Sequence, residues 1–339
     1  MTVRMQSPLL SVIMPVFNGE KFLSETIESI LNQTFTDFEL LILNDNSTDS
    51  TQAIIERYQE KDSRIRTIIK ESNVGPANLR NEGFSLAKGE YIALMDADDI
   101  ALPTRFEKQV QVLNTNPEVG VCGTWFTFFG GKKNKTVKQP ENHDKIKISF
   151  LSSCSIGNPT VMVRKSALKE HRFENQYVPV EDYDLWSRMI FTTNFHIVQE
   201  SLLRYRQHDS NISKTKIENV NRSVRAVKSN MLKQFGIDSS DTNVDVYLNA
   251  LTMKRKLTPE EIKNTIKASK FIISQNEKLG NFDKVLLKKQ IDSVLLRTVR
   301  NAKKHNMSFF NYLKNEEKDL FRQIKFLDKT ILFFKCITG

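Results

Sequence analysis

The 339 residues are 39% hydrophobic and 27% charged, which suits a folded soluble protein and leaves room for two domains of about 100–200 residues each. No stretch reaches the roughly 18 apolar residues of a membrane span, and residues 1–8 lack the apolar core of a signal peptide. The net charge of +10 is uneven: residues 214–339 hold 26 Lys and Arg against 13 Asp and Glu, and residues 1–213 hold 24 against 27. A domain boundary is therefore expected at 213/214, before a basic C-terminal domain. Cys122, Cys154 and Cys336 are sparse, odd in number and without metal-ligand spacing. They point to a reducing compartment, and Cys122 and Cys154 are expected to be buried small apolar groups.

Residues 9–17 form a continuous apolar run suited to a strand buried on both faces. Phe22, Leu23, Ile27, Ile30 and Leu31 then recur at helical spacing over 20–32. A strand is expected at 38–43, a helix at 49–60 with Ile54 and Ile55 inward, and a strand at 65–69. A helix at 77–88, closed by Gly89 as its C-terminal cap, leads into a strand at 90–95. This βαβαβαβ order predicts an α/β fold with a mostly parallel sheet flanked by helices. Pro103 opens a further helix through Leu113. Strands are expected at 119–129 and 160–163, a helix at 184–191 and a closing strand at 195–205. The lysine-rich stretch 130–140 is expected to be a mobile loop.

After Lys214 strand signals nearly vanish. Thr258-Pro259-Glu260-Glu261 is a helix start, with Thr as N-cap, Pro at the first position and Glu three residues on. Ile262, Ile266, Ala268, Ile272 and Ile273 give the apolar face and Gly280 ends it. Similar patterns at 285–299 and 320–334 predict a small helical bundle.

In open parallel sheets, ligands bind beyond the carboxyl ends of the strands. The residues there are Pro15-Val16-Phe17-Asn18-Gly19-Glu20, Asn44-Asp45-Asn46-Ser47-Thr48-Asp49, Glu71-Ser72-Asn73-Val74-Gly75 and Asp96-Ala97-Asp98-Asp99. No glycine-rich dinucleotide turn or P-loop is present, so a bound diphosphate would need a metal. Asp96 and Asp98 are spaced to put two hard oxygen ligands on one side of an extended segment, which suits Mg²⁺ or Mn²⁺. The competing reading is that Asp98 or Asp99 caps the helix near Pro103. Glu181-Asp182 is either a helix-start acidic pair or a source of general base. Arg206, after the last strand, could face phosphate.

Taken in order over residues 9–213, these segments resemble the glycosyltransferase family 2 domain with the GT-A fold. The carrying residues are Ser11-Val12-Ile13-Met14-Pro15-Val16-Phe17-Asn18, Asn44-Asp45-Asn46-Ser47-Thr48-Asp49, Asn73-Val74-Gly75 with Arg80-Asn81, and Gly89-Glu90-Tyr91-Ile92 before Asp96-Ala97-Asp98-Asp99. Glu181-Asp182-Tyr183-Asp184-Leu185-Trp186 and Tyr205-Arg206-Gln207-His208 complete the set. The resemblance implies an inverting, metal-dependent transferase of the hexosyl or N-acetylhexosaminyl class. Its donor would be a nucleotide-sugar, typically UDP-linked, and its acceptor a saccharide or lipid-linked hydroxyl in surface polysaccharide or glycoconjugate synthesis.

It also implies roles. Pro15 and Phe17 would line the base pocket, with Asn18, Glu20, Asn73, Arg80 and Ala97 at the nucleotide-sugar and Asp45 bonding the base. Asp96 would face ribose or metal, and Asp98 would hold Mn²⁺ or Mg²⁺, with His208 as a further ligand. Asp182 would be the base with Glu181 beside it, and Arg206 and Ser213 would bind the diphosphate. One position departs: Asn44 stands where an aspartate is usual, which leaves the base open.

Two rivals remain at this stage. A sugar-nucleotide nucleotidyltransferase would want a glycine- and lysine-rich phosphate loop. A non-catalytic nucleotide-sugar or glycan-binding module would not need Glu181-Asp182 or Asp98. For residues 214–339 three readings compete. These are solvated lysine faces, with the apolar residues around Phe326–Phe334 packed on the bundle or in a homo-oligomer; docking on an anionic membrane; and, last, nucleic acid binding. The expected placement is cytoplasmic, either free or peripheral at a membrane.

Overall fold

The computed structural model describes residues 7–131, 133–208, 217–234, 236–237, 244, 246–248, 256–303 and 305–338. The chain divides into two compact units, Met1–Val220 and Asn221–Gly339.

The first unit is built on a nine-stranded sheet. Its leading half is a parallel array of β1 (Leu10–Val16), β2 (Phe38–Asn44), β3 (Ile65–Ile69) and β4 (Tyr91–Leu94), in the order β3-β2-β1-β4. Helices α1 (Leu23–Leu31), α2 (Thr51–Gln59) and α3 (Pro76–Leu86) make the crossovers. All seven residues of both β1 and β2 are buried, as predominantly apolar strands require when helices cover both faces; the buried Ser11 hydroxyl donates to Glu39 across the pair. Each fully buried Leu, Ile or Phe here contributes about 1.5–3 kcal/mol. In-register pairing, Val16 beside Asn44 and Asn44 beside Ile69, brings the strand ends level. Their loops therefore share one edge.

Beyond β4 the sheet becomes mixed, while as a whole it stays largely parallel, as expected. β8 (Met162–Arg164) runs antiparallel to β4 and to β6 (Val119–Phe129). β6 in turn pairs in parallel with β9 (Asn194–Arg206), and β5 (Ile100–Ala101) runs antiparallel to β9. The stretch 130–140 contains β7 (Lys135–Val137), paired antiparallel to β6. Helices α4 (Arg105–Thr115), α5 (His143–Phe150), α6 (Lys165–Leu168) and α7 (Glu181–Met189) complete the unit.

Gly89 does not cap α3. Ala87, the C-cap, is extended with ψ 130°. Gly89 instead lies against β1, where a Cβ would come within 2.6 Å of the Ser11 nitrogen and 2.7 Å of the Leu10 carbonyl carbon. Its own N–H donates to the Ser11 hydroxyl. Asn46, as its side chain allows, adopts the left-handed conformation at φ 58°.

The second unit is helical: most of α8 (Ile217–Gln234), whose first four residues belong to the first unit, then α9 (Pro259–Leu279), α10 (Lys284–Arg300), α11 (Met307–Asn315), α12 (Lys318–Gln323) and α13 (Phe326–Thr338). The Thr258–Glu261 capping box forms, and Gly280 takes the left-handed C-cap at φ 69°. Ile262, Ile266, Ala268 and Ile272 are buried, and Ile273 is only half-buried. The helical pattern at 320–334 resolves into two helices, α12 and α13. Among the described residues no helix is long and apolar enough to cross a membrane. All three cysteines are free; Cys122 and Cys336 are buried, but Cys154 is only half-buried.

Candidate active site

The loops after β1 and β2 are laced together. The Asn18 side-chain oxygen accepts from the Thr48 N–H at 2.9 Å, and the Asn18 N–H donates to the Ser47 hydroxyl at 2.9 Å. Glu20 accepts from the Ser50 N–H at 3.0 Å. Pro15 is buried within β1, whereas Phe17 stands 52% exposed at the mouth of this edge. Asn18, Glu20 and Asn73 are exposed there too.

Asp45 is 2% exposed. Its two carboxylate oxygens accept from the backbone N–H groups of Val74 and Gly75, at 2.8 and 2.9 Å, so it ties β2 to the start of α3. Asn44 is 1% exposed. Its oxygen accepts from the Ser47 N–H and its amide donates to Gln52, so its missing charge is absorbed within the turn.

The acidic quartet is a turn rather than an extended segment, with the Asp99 N–H donating to the Asp96 carbonyl. Its carboxylates therefore diverge to separate partners. Asp96 accepts from Arg80 Nη2 at 2.8 Å. Asp98 Oδ2 lies 2.7 Å from His208 Nε2. Asp99, 1% exposed, accepts from the Arg206 N–H at 2.8 Å, while its Oδ2 is buried without a hydrogen-bond partner. Neither Asp98 nor Asp99 caps α4, whose N-cap is Thr104 with no side-chain cap bond. Burial and the Asp96 charge push the Asp98 carboxyl up, against the pull of His208. The same burial, with Asp96 and Asp98, pushes Asp99 well above the usual carboxylate range.

Arg80 is no surface arginine. It is 7% exposed, its Nη1 donates to Glu181 at 3.0 Å, and Nη2 holds Asp96. Burial works against its charge, but Asp96 and Glu181 outweigh burial and hold its proton more firmly than in an ordinary arginine. Glu181 and Asp182 occupy the first turn of α7, not the stretch before a helix. Tyr183, Leu185, Trp186 and Met189 anchor that helix in the core, so the first turn is fixed in place. Asp182 is half-buried; burial first, then the Glu181 charge, raises its carboxyl to about 7.

Arg206 was expected on the diphosphate. Here its guanidinium lies between the Phe22 and Phe129 rings, 4.4 and 4.5 Å from their centroids. It donates to the Asp98 carbonyl at 2.7 Å and to Glu25. In this state it supports the quartet. Ser213 lies outside the described residues.

The residues that hold the site but escaped sequence reasoning sit on and just before α1. The Thr26 hydroxyl lies 3.0 and 2.9 Å from the Ala97 and Asp99 carbonyl oxygens, its single proton shared between them. The Phe22 ring packs against His208 at 5.2 Å. A threonine on the buried stripe of Leu23, Ile27 and Ile30 was the available signal, since a buried hydroxyl needs a partner. Tyr205, named in the motif but given no role, stands beside the quartet: burial and the carboxylates of Asp96, Asp99, Asp98 and Asp182 hold its hydroxyl above the ordinary phenol range.

Among the described residues no three His, Cys, Asp or Glu side chains are arranged to hold a metal by themselves. Asp98 and His208 offer one carboxylate oxygen and one imidazole nitrogen side by side, both half-buried. That pair fits a divalent ion that takes its other ligands from phosphate oxygens and water.

The Glycosyl transferase family 2 profile matches residues 11–172. An uncharacterized glycosyltransferase of Methanocaldococcus jannaschii is 38% identical over 224 residues, 64% of this chain and 77% of that one. The chain is a family 2 glycosyltransferase. This transferase is also similar to the Escherichia coli UDP-Glc:alpha-D-GlcNAc-diphosphoundecaprenol beta-1,3-glucosyltransferase WfgD, at 31% identity over 64% of this chain and 85% of that one. Its fold is shared with S. aureus TarS in complex with UDP-GlcNAc, with a TM-score of 0.57 and 18% identity over 92% of this chain and 89% of that one.

Proposed function

We propose that this glycosyltransferase moves a sugar from a UDP-sugar to a hydroxyl of a saccharide or lipid-linked acceptor, in one inverting displacement with Asp182 as general base. Surface polysaccharide or glycoconjugate assembly is the setting this reaction fits. The observation that carries the reading is the Arg80 bridge. One buried guanidinium holds Asp96, at the donor edge of the sheet, and Glu181, the residue beside Asp182. Donor and base are thereby kept in fixed relation, as an in-line displacement demands.

The acceptor oxygen attacks the anomeric carbon and forms the new C–O bond. The bond to the diphosphate breaks, and its electron pair leaves on the diphosphate oxygen. The hydroxyl proton goes to Asp182, whose value of about 7 places it where a base can both accept a proton and recover. Glu181, tied to Arg80, is less free to do so. Phe17 would stack on the base, and Arg206 would keep the quartet in shape beneath the diphosphate. Asp98 and His208 would hold Mn²⁺ or Mg²⁺, which supplies positive charge to the departing group.

The relatives support the donor: WfgD is described with UDP-Glc and a diphosphoundecaprenol-linked acceptor, and TarS with UDP-GlcNAc. The test is a thermal-shift panel of UDP-, GDP- and dTDP-sugars with Mn²⁺ or chelator. A UDP-sugar should raise Tm by mass action, and more with the ion. A shift by GDP-sugars alone would overturn the donor assignment.

A further inference from the structure

Helix α13, Phe326–Thr338, buries one face and exposes the other. Leu332 and Cys336 turn inward at 5% and 7% exposure, while Phe326, Phe334 and Ile337 stand 84%, 60% and 58% exposed. Ile331 and Phe333 follow at 44% and 37%, so five of the eleven large apolar side chains exposed among the described residues lie on this one helix. Scattered exposed apolar residues are ordinary, but a contiguous set marks a docking face. At about 100° per residue the set fills one outward arc, running from Phe333 through Phe326, Ile337 and Phe334 to Ile331. Lys329 borders that arc on one side and Lys335 on the other, and Lys325 precedes the helix. The Phe333 ring also meets Phe310 edge-on at 5.3 Å, which holds the helix on its unit with the arc turned outward.

We propose that this face docks on an anionic bilayer, with α13 lying in the plane of the interface. An apolar stripe bordered by lysines matches such a surface in both its acyl and its headgroup layers. The helix is too short to cross: 13 residues span about 20 Å, against a hydrocarbon core of about 30 Å. A second copy is the weaker occupant on charge grounds. Residues 221–339 hold 24 Lys and Arg against 12 Asp and Glu, so self-pairing would bring lysines onto lysines. An anionic surface instead gains about 1 kcal/mol of attraction per nearby lysine. This docking requires nothing of the donor or acceptor proposed above.

The test is flotation of the full chain with phosphatidylcholine vesicles, with and without one-third phosphatidylglycerol, at low and high salt. The parent should float with the anionic vesicles and be released by salt. The Phe326→Ser/Phe334→Ser/Ile337→Ser variant should lose on the order of a hundredfold in partitioning, from the apolar area removed. Lys325→Glu/Lys329→Glu/Lys335→Glu should lose at least about tenfold on anionic vesicles and little on neutral ones. The lysine variant changes only exposed or half-exposed polar groups, so it serves as an independent arm if the apolar variant misfolds. Equal flotation of parent and variants would overturn the proposal. So would a parent that ignores vesicles and runs as a dimer that the apolar variant converts to a monomer.

Discussion

Arg80 and Glu181, 101 residues apart in sequence, meet at 3.0 Å in a buried ion pair. The other arm of the same guanidinium holds Asp96 at 2.8 Å. A cation shared by two carboxylates in a largely buried setting is costly to remove, because both charges are then left uncompensated.

Arg80→Met should therefore destabilise the fold by about 3–5 kcal/mol. It should also move the acid limb of the rate–pH profile to higher pH, since the Arg80 charge pulls the Asp182 carboxyl down. Arg80→Lys, with a single ammonium for two carboxylates, should fall between. Urea denaturation and kcat/KM against pH measure both effects. An unmoved acid limb would separate Arg80 from the base.

The raised Asp182 carboxyl has a stability consequence of definite sign. In the unfolded chain the group ionises near 3.8, and in the folded protein near 7. Between those values the folded state binds the extra proton, so this contribution to stability falls as pH rises and is gone above about 7. Asp182→Asn cannot ionise. It should raise stability at pH 8 by on the order of 1–4 kcal/mol, with a matching rise in Tm, and by less at pH 5. Calorimetry at the two pH values decides it, and an equal shift at both would contradict the raised value.

Asp98 and His208 are expected to share a divalent ion with the donor. Asp98→Asn and His208→Gln should each weaken Mn²⁺ dependence of donor binding by roughly 10–100-fold, with little change in binding of the free nucleoside. Calorimetric titration of Mn²⁺ in the presence of UDP reads this directly. Unchanged Mn²⁺ affinity in both variants would remove the pair as the ion's ligands.

Gly89 tests the packing of the parallel half. A methyl at this position would meet β1 backbone rather than a flexible side chain. Gly89→Ala should cost about 1–3 kcal/mol by overpacking, read as a lower urea midpoint at unchanged m-value.

Much of this was legible because local signals agreed with the fold. The apolar runs of β1, β2 and β6, the capping box at Thr258 and the left-handed Asn46 all follow from short-range chemistry. The antiparallel pairing of β8 was not, because that strand is three residues long and its partners β4 and β6 lie far from it in the chain. β7 hid for a similar reason: a polar three-residue strand carries no apolar period. At the site, the strand-end rule found the quartet and Asp45. It did not show that Asp96 and Asp98 diverge, that Asp99 binds the Arg206 backbone, or that Arg206 is spent on Glu25 and Asp98. Those partners come from α1, α3, β9 and the residue stretch just beyond it, and only the folded chain brings them together.

In the proposed mechanism Asp182 takes the acceptor proton. The most direct measurement is single-turnover transfer from a UDP-sugar by the parent and by Asp182→Asn, with donor affinity measured on the same samples. The account predicts a fall in transfer of at least about a thousandfold, with donor affinity held within about twofold. Transfer at the parent's rate by Asp182→Asn would contradict it.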